Sequence, residues 1–374
     1  MLQWVKGLHF TFFLLVFLGI SSCDTPRQAS NTPQSPLITA KPKNVIFLIG
    51  DGMGMPQITG TMYMNNNKTV FERFQNIGFH KSHSSDNLVT DSAAGATAFA
   101  SGVKTYNGAI GVDAQKQSVP TLLEKAEQKG MATGLVATSS ITHATPAAFI
   151  AHVSGREEAQ LIALDFLDTE IDIFIGGGLD AFARRDDQRN LVEELTVKGY
   201  EITSFFDKDI KELNVRTNKN IGYFTANGEP LPVREGRDYL PKATEKTLDF
   251  LKDRSPNGFF LMIEGSQIDW AGHANDGNYL LTEMNEFEGV VGQALDFAEK
   301  DGNTLVIVTG DHETGGFAVQ PGSKLNDIDV AFTTKHHTAI MIPVFAEGPG
   351  EELFRGIYEN TDIFFKIKSL LDLK

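Results

Sequence analysis

The stretch Asn44-Val-Ile-Phe-Leu-Ile-Gly-Asp-Gly-Met-Gly54 begins as an uncharged, mostly apolar run and then breaks into a glycine-rich turn around a single carboxylate, Asp51. A continuous apolar run of that length reads as a strand buried on both faces, as in a parallel sheet. The same reading gives further strands over 132–139, 171–175, 258–263, 304–309 and 339–346. Helical patterns fall between them at 92–100, 120–129, 157–167, 188–198, 242–252, 280–300 and 361–371. This alternation predicts an α/β fold with a mainly parallel central sheet and helices on both faces. No internal repeat interrupts it.

The chain has 374 residues, 41% of them hydrophobic, enough to bury a large core. The start reads differently. Lys6 precedes an apolar run, Phe10 to Ile20, that is short for a membrane span and fits the core of a secretory signal. Ile20-Ser-Ser-Cys23 then reads as a lipobox, with Cys23 as a lipid attachment point. Residues 1–22 are therefore expected to be a signal peptide, 23–43 a lipidated cysteine and flexible tether, and 44–374 the catalytic domain. An uncleaved signal anchor is the alternative. Cys23 is the only cysteine, which excludes an internal disulfide. The expectation is an exported protein, periplasmic or at the cell surface, held to a bacterial membrane through Cys23. A formal charge of −15 with no basic run argues against nucleic acid as a binding partner.

The chemistry-bearing residues gather at strand ends. Asp51, Glu264 and Asp311 come at or just after the carboxyl ends of apolar strands, where open α/β sheets bind ligands. Asp269 and His273 lie four residues apart and share one helical face. Asp311-His312 and a later His337 add further donors, enough nitrogen and oxygen for two zinc ions. Any one of the carboxylates is explained equally well as a helix N-cap; the whole set is not. The candidate nucleophile is Ser92, in Thr90-Asp91-Ser92-Ala-Ala. A serine hydroxyl is protonated at neutral pH, and an adjacent zinc would lower its pKa. Arg156 offers a planar fork for two phosphate oxygens, although spacing alone leaves open an ordinary surface ion pair. The triple glycine at 176–178 lacks the spacing of a nucleotide loop and reads as a turn after a strand. His80, His83 and His152 read as surface or satisfied core histidines.

Six ordered motifs from Asn44 onward make the chain similar to the alkaline phosphatases. They are Gly50-Asp51-Gly-Met-Gly, Thr90-Asp91-Ser92-Ala-Ala, His143-Ala-Thr145-Pro-Ala-Ala with Arg156 following, Glu264-Gly-Ser-Gln-Ile-Asp269 with His273, Thr309-Gly-Asp311-His312-Glu-Thr-Gly-Gly, and His336-His337-Thr. The resemblance implies two Zn2+ and one Mg2+ per chain. Asp269, His273 and His337 would hold one zinc, and Asp51, Asp311 and His312 the other. Magnesium would lie against Asp51, Thr145 and Glu264, with His143 behind it. Ser92 would form a phosphoserine, Arg156 would grip the phosphoryl group, and Asp91 would orient Arg156 or its loop. The implied substrates are phosphate monoesters, cleaved for phosphate scavenging.

The chain departs from the family pattern in three places. The enterobacterial form has Asp where His143 stands, which puts magnesium affinity in question. Trp270 takes a position that is Lys or His in other branches. Only 24 residues separate His312 from His337, so the family's crown subdomain is expected to be short or absent, and its homodimer does not carry over; monomer and homodimer both stay open. A phosphodiesterase of the same superfamily, and a metal-holding binding protein without turnover, are the alternative readings. A sulfatase is disfavoured by the lack of a Cys-x-Pro-x-Arg motif.

Overall fold

A computed structural model describes residues 40–374. The expected strand at Asn44 forms as β1 (Asn44–Gly50), with every residue buried. Its side chains alternate between two cores: Val45, Phe47 and Ile49 enter one, Ile46 and Leu48 the other. That two-sided burial places β1 in the interior of a sheet rather than at its edge.

The remaining strands, in chain order, are β2 (Asn76–Lys81), β3 (Ala132–Ser140), β4 (Ile173–Gly177), β5 (Glu201–Ser204), β6 (Ile221–Phe224), β7 (Phe259–Gly265), β8 (Thr304–Gly310), β9 (Glu313–Thr314), β10 (Phe317–Val319), β11 (Val330–Phe332), β12 (His337–Thr338), β13 (Ile342–Glu347) and β14 (Gly356–Glu359). Ten of them form one sheet in the order β14-β2-β13-β8-β1-β7-β3-β4-β6-β5. All its pairings are parallel except those of β13, which runs antiparallel to both β2 and β8. The mainly parallel α/β prediction therefore holds. One core receives the helices Ser92–Ser101, Leu122–Gln128, Ala159–Asp168 and Thr361–Leu370; the other receives Leu240–Leu251 and Gly277–Asp301.

The differences from the sequence reading lie at the periphery. β2, β5, β6 and β14 are not expected from the apolar pattern: β2 alternates buried and more exposed positions, and the other three have only four residues each. The strand expected at 339–346 is shorter, Ile342–Glu347, because residues 339–341 are the irregular approach to it. Between His312 and His337 the chain forms a hairpin, β10 with β11, and a separate two-residue ladder joins β9 to β12. No crown subdomain is present among the described residues. Cys23, the signal segment and most of the tether lie outside the described residues, and no described helix is long and apolar enough to cross a membrane.

Candidate active site

Register across the central strands brings the acidic residues together. Gly50, Gly265 and Gly310 stand side by side on β1, β7 and β8. Asp51 and Asp311 therefore leave the sheet together, one residue beyond that line, while Glu264 lies one residue before it. Gly52 takes a positive φ of 76°, which turns the chain after Asp51, and a side chain there would meet the Asp269 backbone at 2.8 Å.

Three donor clusters result, each with its ligand atoms within 4.8 Å of one another: Asp269 with His273 and His337, Asp51 with Asp311 and His312, and Asp51 with His143 and Glu264. In the first, His273 Nε2 and His337 Nε2 are 3.1 Å apart, and each lies 3.4 Å from an oxygen of Asp269. Both rings are held from behind. His273 Nδ1 meets the Lys335 carbonyl at 2.6 Å, and His337 Nδ1 meets that of Thr90 at 2.8 Å. A carbonyl takes the proton of Nδ1 and leaves the Nε2 lone pair facing the cluster. His336, the adjacent histidine, accepts from the Gly315 amide at 3.0 Å through its carbonyl and belongs to none of the three clusters.

In the second cluster His312 Nε2 lies 3.3 Å from Asp311 and 3.6 Å from Asp51. The His312 ring stacks on that of His337, centroids 3.5 Å apart, so the two clusters share a wall. Thr314 joins them too: its hydroxyl hydrogen-bonds Asp269 and lies 3.2 Å from His312 Nδ1. Thr314 has no role in the sequence reading. Its only signal is its place in the motif Asp311-His312-Glu-Thr314, directly beside residues that carry donors.

The carboxylates are clasped at one oxygen and bare at the other. Asp311 Oδ1 accepts from the Gly52 and His312 amides at 3.1 and 2.9 Å, and Glu264 Oε2 accepts from Ser266 and Ser139 at 2.6 and 3.3 Å. Asp51 Oδ2, Asp311 Oδ2, Glu264 Oε1 and the Thr145 hydroxyl are buried without a hydrogen-bond partner. Orphaned buried oxygens on adjacent carboxylates are costly unless a cation satisfies them. The donor chemistry fits such ions: imidazole with carboxylate suits zinc, and the oxygens of Asp51, Glu264 and Thr145 suit magnesium.

Protonation follows the same crowding. Burial, then the charges of Asp311 and Asp269, hold Asp51 well above the usual carboxylate range. Burial pushes Glu264 up to about 7 and Asp311 to about 6. Asp269 goes the other way: burial opposes its charge, but hydrogen bonds from His273 and His337 draw it well below normal. The hydrogen bond to Asp269 raises His273 to about 9. His143, lowered to about 4 by burial and by Arg156, is a neutral imidazole.

Ser92 opens the buried, alanine-rich helix Ser92–Ser101 and is 1% exposed. Its hydroxyl lies 3.4 Å from Asp51 Oδ1 and 3.3 Å from His312 Nε2, inside the second cluster. Asp91 caps that helix through Oδ1, which accepts from the Ala94 amide at 3.0 Å. Its Oδ2 accepts from the Gly108 amide and from Arg156 Nη1, each at 3.0 Å. One carboxylate thus fixes the start of the serine helix and the guanidinium together. Arg156 Nη2 lies 3.4 Å from His143 Nε2, and His143 packs edge-on against Trp270 at 5.7 Å.

A family model described as alkaline phosphatase matches residues 42–328. The chain belongs to the alkaline phosphatase family. It is 42% identical over 294 residues to alkaline phosphatase 3 of Bacillus subtilis, an alignment that covers 74% of this chain but only 62% of that relative. It is 35% identical to alkaline phosphatase 4 of the same organism, covering 88% of this chain and 89% of the other. Among solved structures, the alkaline phosphatase of the Antarctic bacterium TAB5 is 45% identical, covers 90% of this chain and 99% of its own, and superposes with a TM-score of 0.85. A histidine-to-glutamate mutant of that enzyme is described with Mg bound in the M3 site. In this alkaline phosphatase chain three further histidines among the described residues stand outside the clusters: His80 Nε2 bonds the Gly310 carbonyl at 2.9 Å, His152 pairs with Glu124 at 2.9 Å, and His83 with Glu359 at 3.2 Å.

Proposed function

We propose that this alkaline phosphatase hydrolyses phosphate monoesters through a phosphoserine on Ser92, and that it scavenges phosphate outside the cytoplasm. The observation that carries the reading is the placement of the Ser92 hydroxyl against Asp51 and His312, on a helix whose cap, Asp91, also holds Arg156. Asp269, His273 and His337 would seat one zinc ion, Asp51, Asp311 and His312 a second, and Asp51, Glu264 and Thr145 a magnesium ion. Zinc bound at the two histidine clusters would supply positive charge that favours ionisation of the Ser92 hydroxyl and offsets charge on the departing alcohol oxygen. Ser92 Oγ forms its bond to phosphorus as the phosphorus to alcohol bond breaks on the opposite side. Arg156 pairs two nonbridging oxygens, held in aim by Asp91. Water then attacks the same phosphorus, and the serine oxygen leaves as inorganic phosphate forms. None of these roles reaches past the departing oxygen to the carbon side of the alcohol, so the reading includes a broad choice of leaving group.

Comparison of p-nitrophenyl phosphate with bis-p-nitrophenyl phosphate tests the substrate class. A monoester offers one more free oxygen to Arg156, so the wild-type protein is expected to favour it by at least about a hundredfold in kcat/KM. Arg156→Ala should lower kcat/KM for the monoester by roughly 10- to 100-fold while changing the diester rate little, which shrinks the preference. Equal losses on both esters would show that Arg156 does not set the preference for monoesters. A wild-type preference for the diester would instead favour the phosphodiesterase reading.

We also propose, from the sequence, that lipid on Cys23 ties the exported domain to a bacterial membrane. Cys23→Ser expressed in a bacterial host should lose incorporation of labelled palmitate and leave the membrane fraction. Continued labelling of that variant would assign the lipid to another residue.

A further inference from the structure

We infer that Glu313, acting through Gln57 and Thr338, is a positioning residue that sets the Asp269, His273 and His337 cluster against the Asp51, Asp311 and His312 cluster. The inference rests on the two-zinc reading and concerns residues that no role above uses. Glu313 is 1% exposed and follows His312 directly. Its Oε1 accepts from Gln57 Nε2 at 2.7 Å and from the Phe317 amide at 3.1 Å. Its Oε2 accepts from the Gly316 amide at 3.2 Å and from the Thr338 hydroxyl. All these donors are neutral, and together they fill a carboxylate's ordinary acceptor capacity without an ion pair. A buried carboxylate satisfied this fully, yet aimed away from every donor cluster, has a structural task beside the site rather than within it.

Two of the bonds, those from Gln57 and Thr338, reach other ligand-bearing segments. Gln57 belongs to the helix that follows the Asp51 turn; its Oε1 accepts from the Gly54 amide at 3.0 Å, and its Nε2 also donates to the Thr314 carbonyl at 3.0 Å. Gly54 is a close approach: a Cβ there would meet Glu313 Cγ at 2.7 Å, so the stem of Glu313 lies directly on this turn. Thr338 is next to His337, and it pairs with Glu313 across the β9–β12 ladder, as His337 pairs with Thr314. That ladder has only two residues a side, too little to fix a strand by itself. Beyond the contacts of its ring with His312, His273 and Asp269, His337 has three restraints: the short ladder, the Thr90 carbonyl behind its ring, and the Thr338 to Glu313 bond. His312 is anchored at the end of β8 and does not depend on the bond in the same way. Loss of the Thr338 bond should consequently loosen the cluster that contains His337 and spare the other.

The test is a competitive titration of zinc-free protein against a chromophoric zinc chelator, which yields one dissociation constant per site. His273→Ala, lacking one ligand, identifies which constant belongs to the His337 cluster. Thr338→Val removes the hydroxyl with little change in shape and should weaken zinc at that site about 10- to 100-fold while leaving the other constant unchanged. Thr338→Ser, which keeps the hydroxyl, should restore wild-type affinity, and Glu313→Gln, which turns an amide toward donors, should weaken it at least as much as Thr338→Val. Thermal melting of the zinc-free variants checks that the fold is kept. If Thr338→Val binds zinc like wild type, or if Thr338→Ser is as weak as Thr338→Val, the inference is overturned while the two-zinc reading stands. Wild-type protein that takes up no zinc overturns both.

Discussion

Ser92→Ala protein should bind its metals, fold as before, and hydrolyse p-nitrophenyl phosphate slower by roughly 10⁴-fold or more. The expected size comes from losing the nucleophile itself; whatever turnover remains is direct attack by water on a still-gripped phosphoryl group. The fold should not notice. Ser92 is not the cap of its helix, since Asp91 fills that place, and alanine suits a first helical turn. Ser92 donates only a long 3.4 Å bond to Asp51, and the helix is already built from small residues. Steady-state rates beside metal content separate chemistry from folding. A variant that retains its zinc and a tenth of the wild-type rate would exclude Ser92 as nucleophile.

The second large effect is expected from chelation, and pH gives it a direction. Stripping the divalent ions with a strong chelator should abolish turnover, and adding zinc and magnesium back should restore it. The stripped protein should also become less stable as pH rises from about 6.5 to 9. Glu264, at about 7 in the folded chain, sits above its ordinary value of 4.5, so its share of the loss runs from about pH 4.5 to 7 and only the last part of it falls in this window. His273, raised to about 9, contributes stability that is complete below its unfolded value near 6.5 and is lost as pH passes 9. His337 is raised as well and acts in the same sense. Bound cations replace those protons, so the gain in melting temperature on adding metal should be larger at pH 9 than at pH 6.5. Melting curves of stripped and reloaded protein measure it. A gain that shrinks with rising pH would show that these groups are not the ones the ions displace.

What the sequence displays, and what it hides, follows from the range of the interactions. Buried central strands announce themselves as apolar runs, so β1, β3, β7 and β8 are readable, and the carboxylates at their ends fall together because parallel strands in register share an edge. Asp269 and His273 are readable from helical spacing. The direction of β13 is not, because a buried strand has the same pattern whichever way it runs. β2 hides for another reason: at the side of the sheet only one of its faces is buried, and Ile77 is left exposed. Least visible are the groups whose meaning depends on residues far along the chain. The resemblance implies that Asp91 orients Arg156 or its loop; the contact with Arg156, 65 positions away, agrees, and what only the fold shows is that its other oxygen caps the serine helix. Thr314 and Glu313 sit inside a motif that is conspicuous for its Asp-His pair, yet their work is done on Asp269, Gln57 and Thr338.

The alignment of Gly50, Gly265 and Gly310 across β1, β7 and β8 has a further consequence. Neighbouring strands are about 4.8 Å apart because backbone hydrogen bonds set that distance. Asp51, Glu264 and Asp311 therefore take their separation from a ruler that no side chain can rewrite. Surface segments can lengthen, shrink or vanish, as the short β10–β11 hairpin illustrates, while the gauge between the acidic groups stays constant.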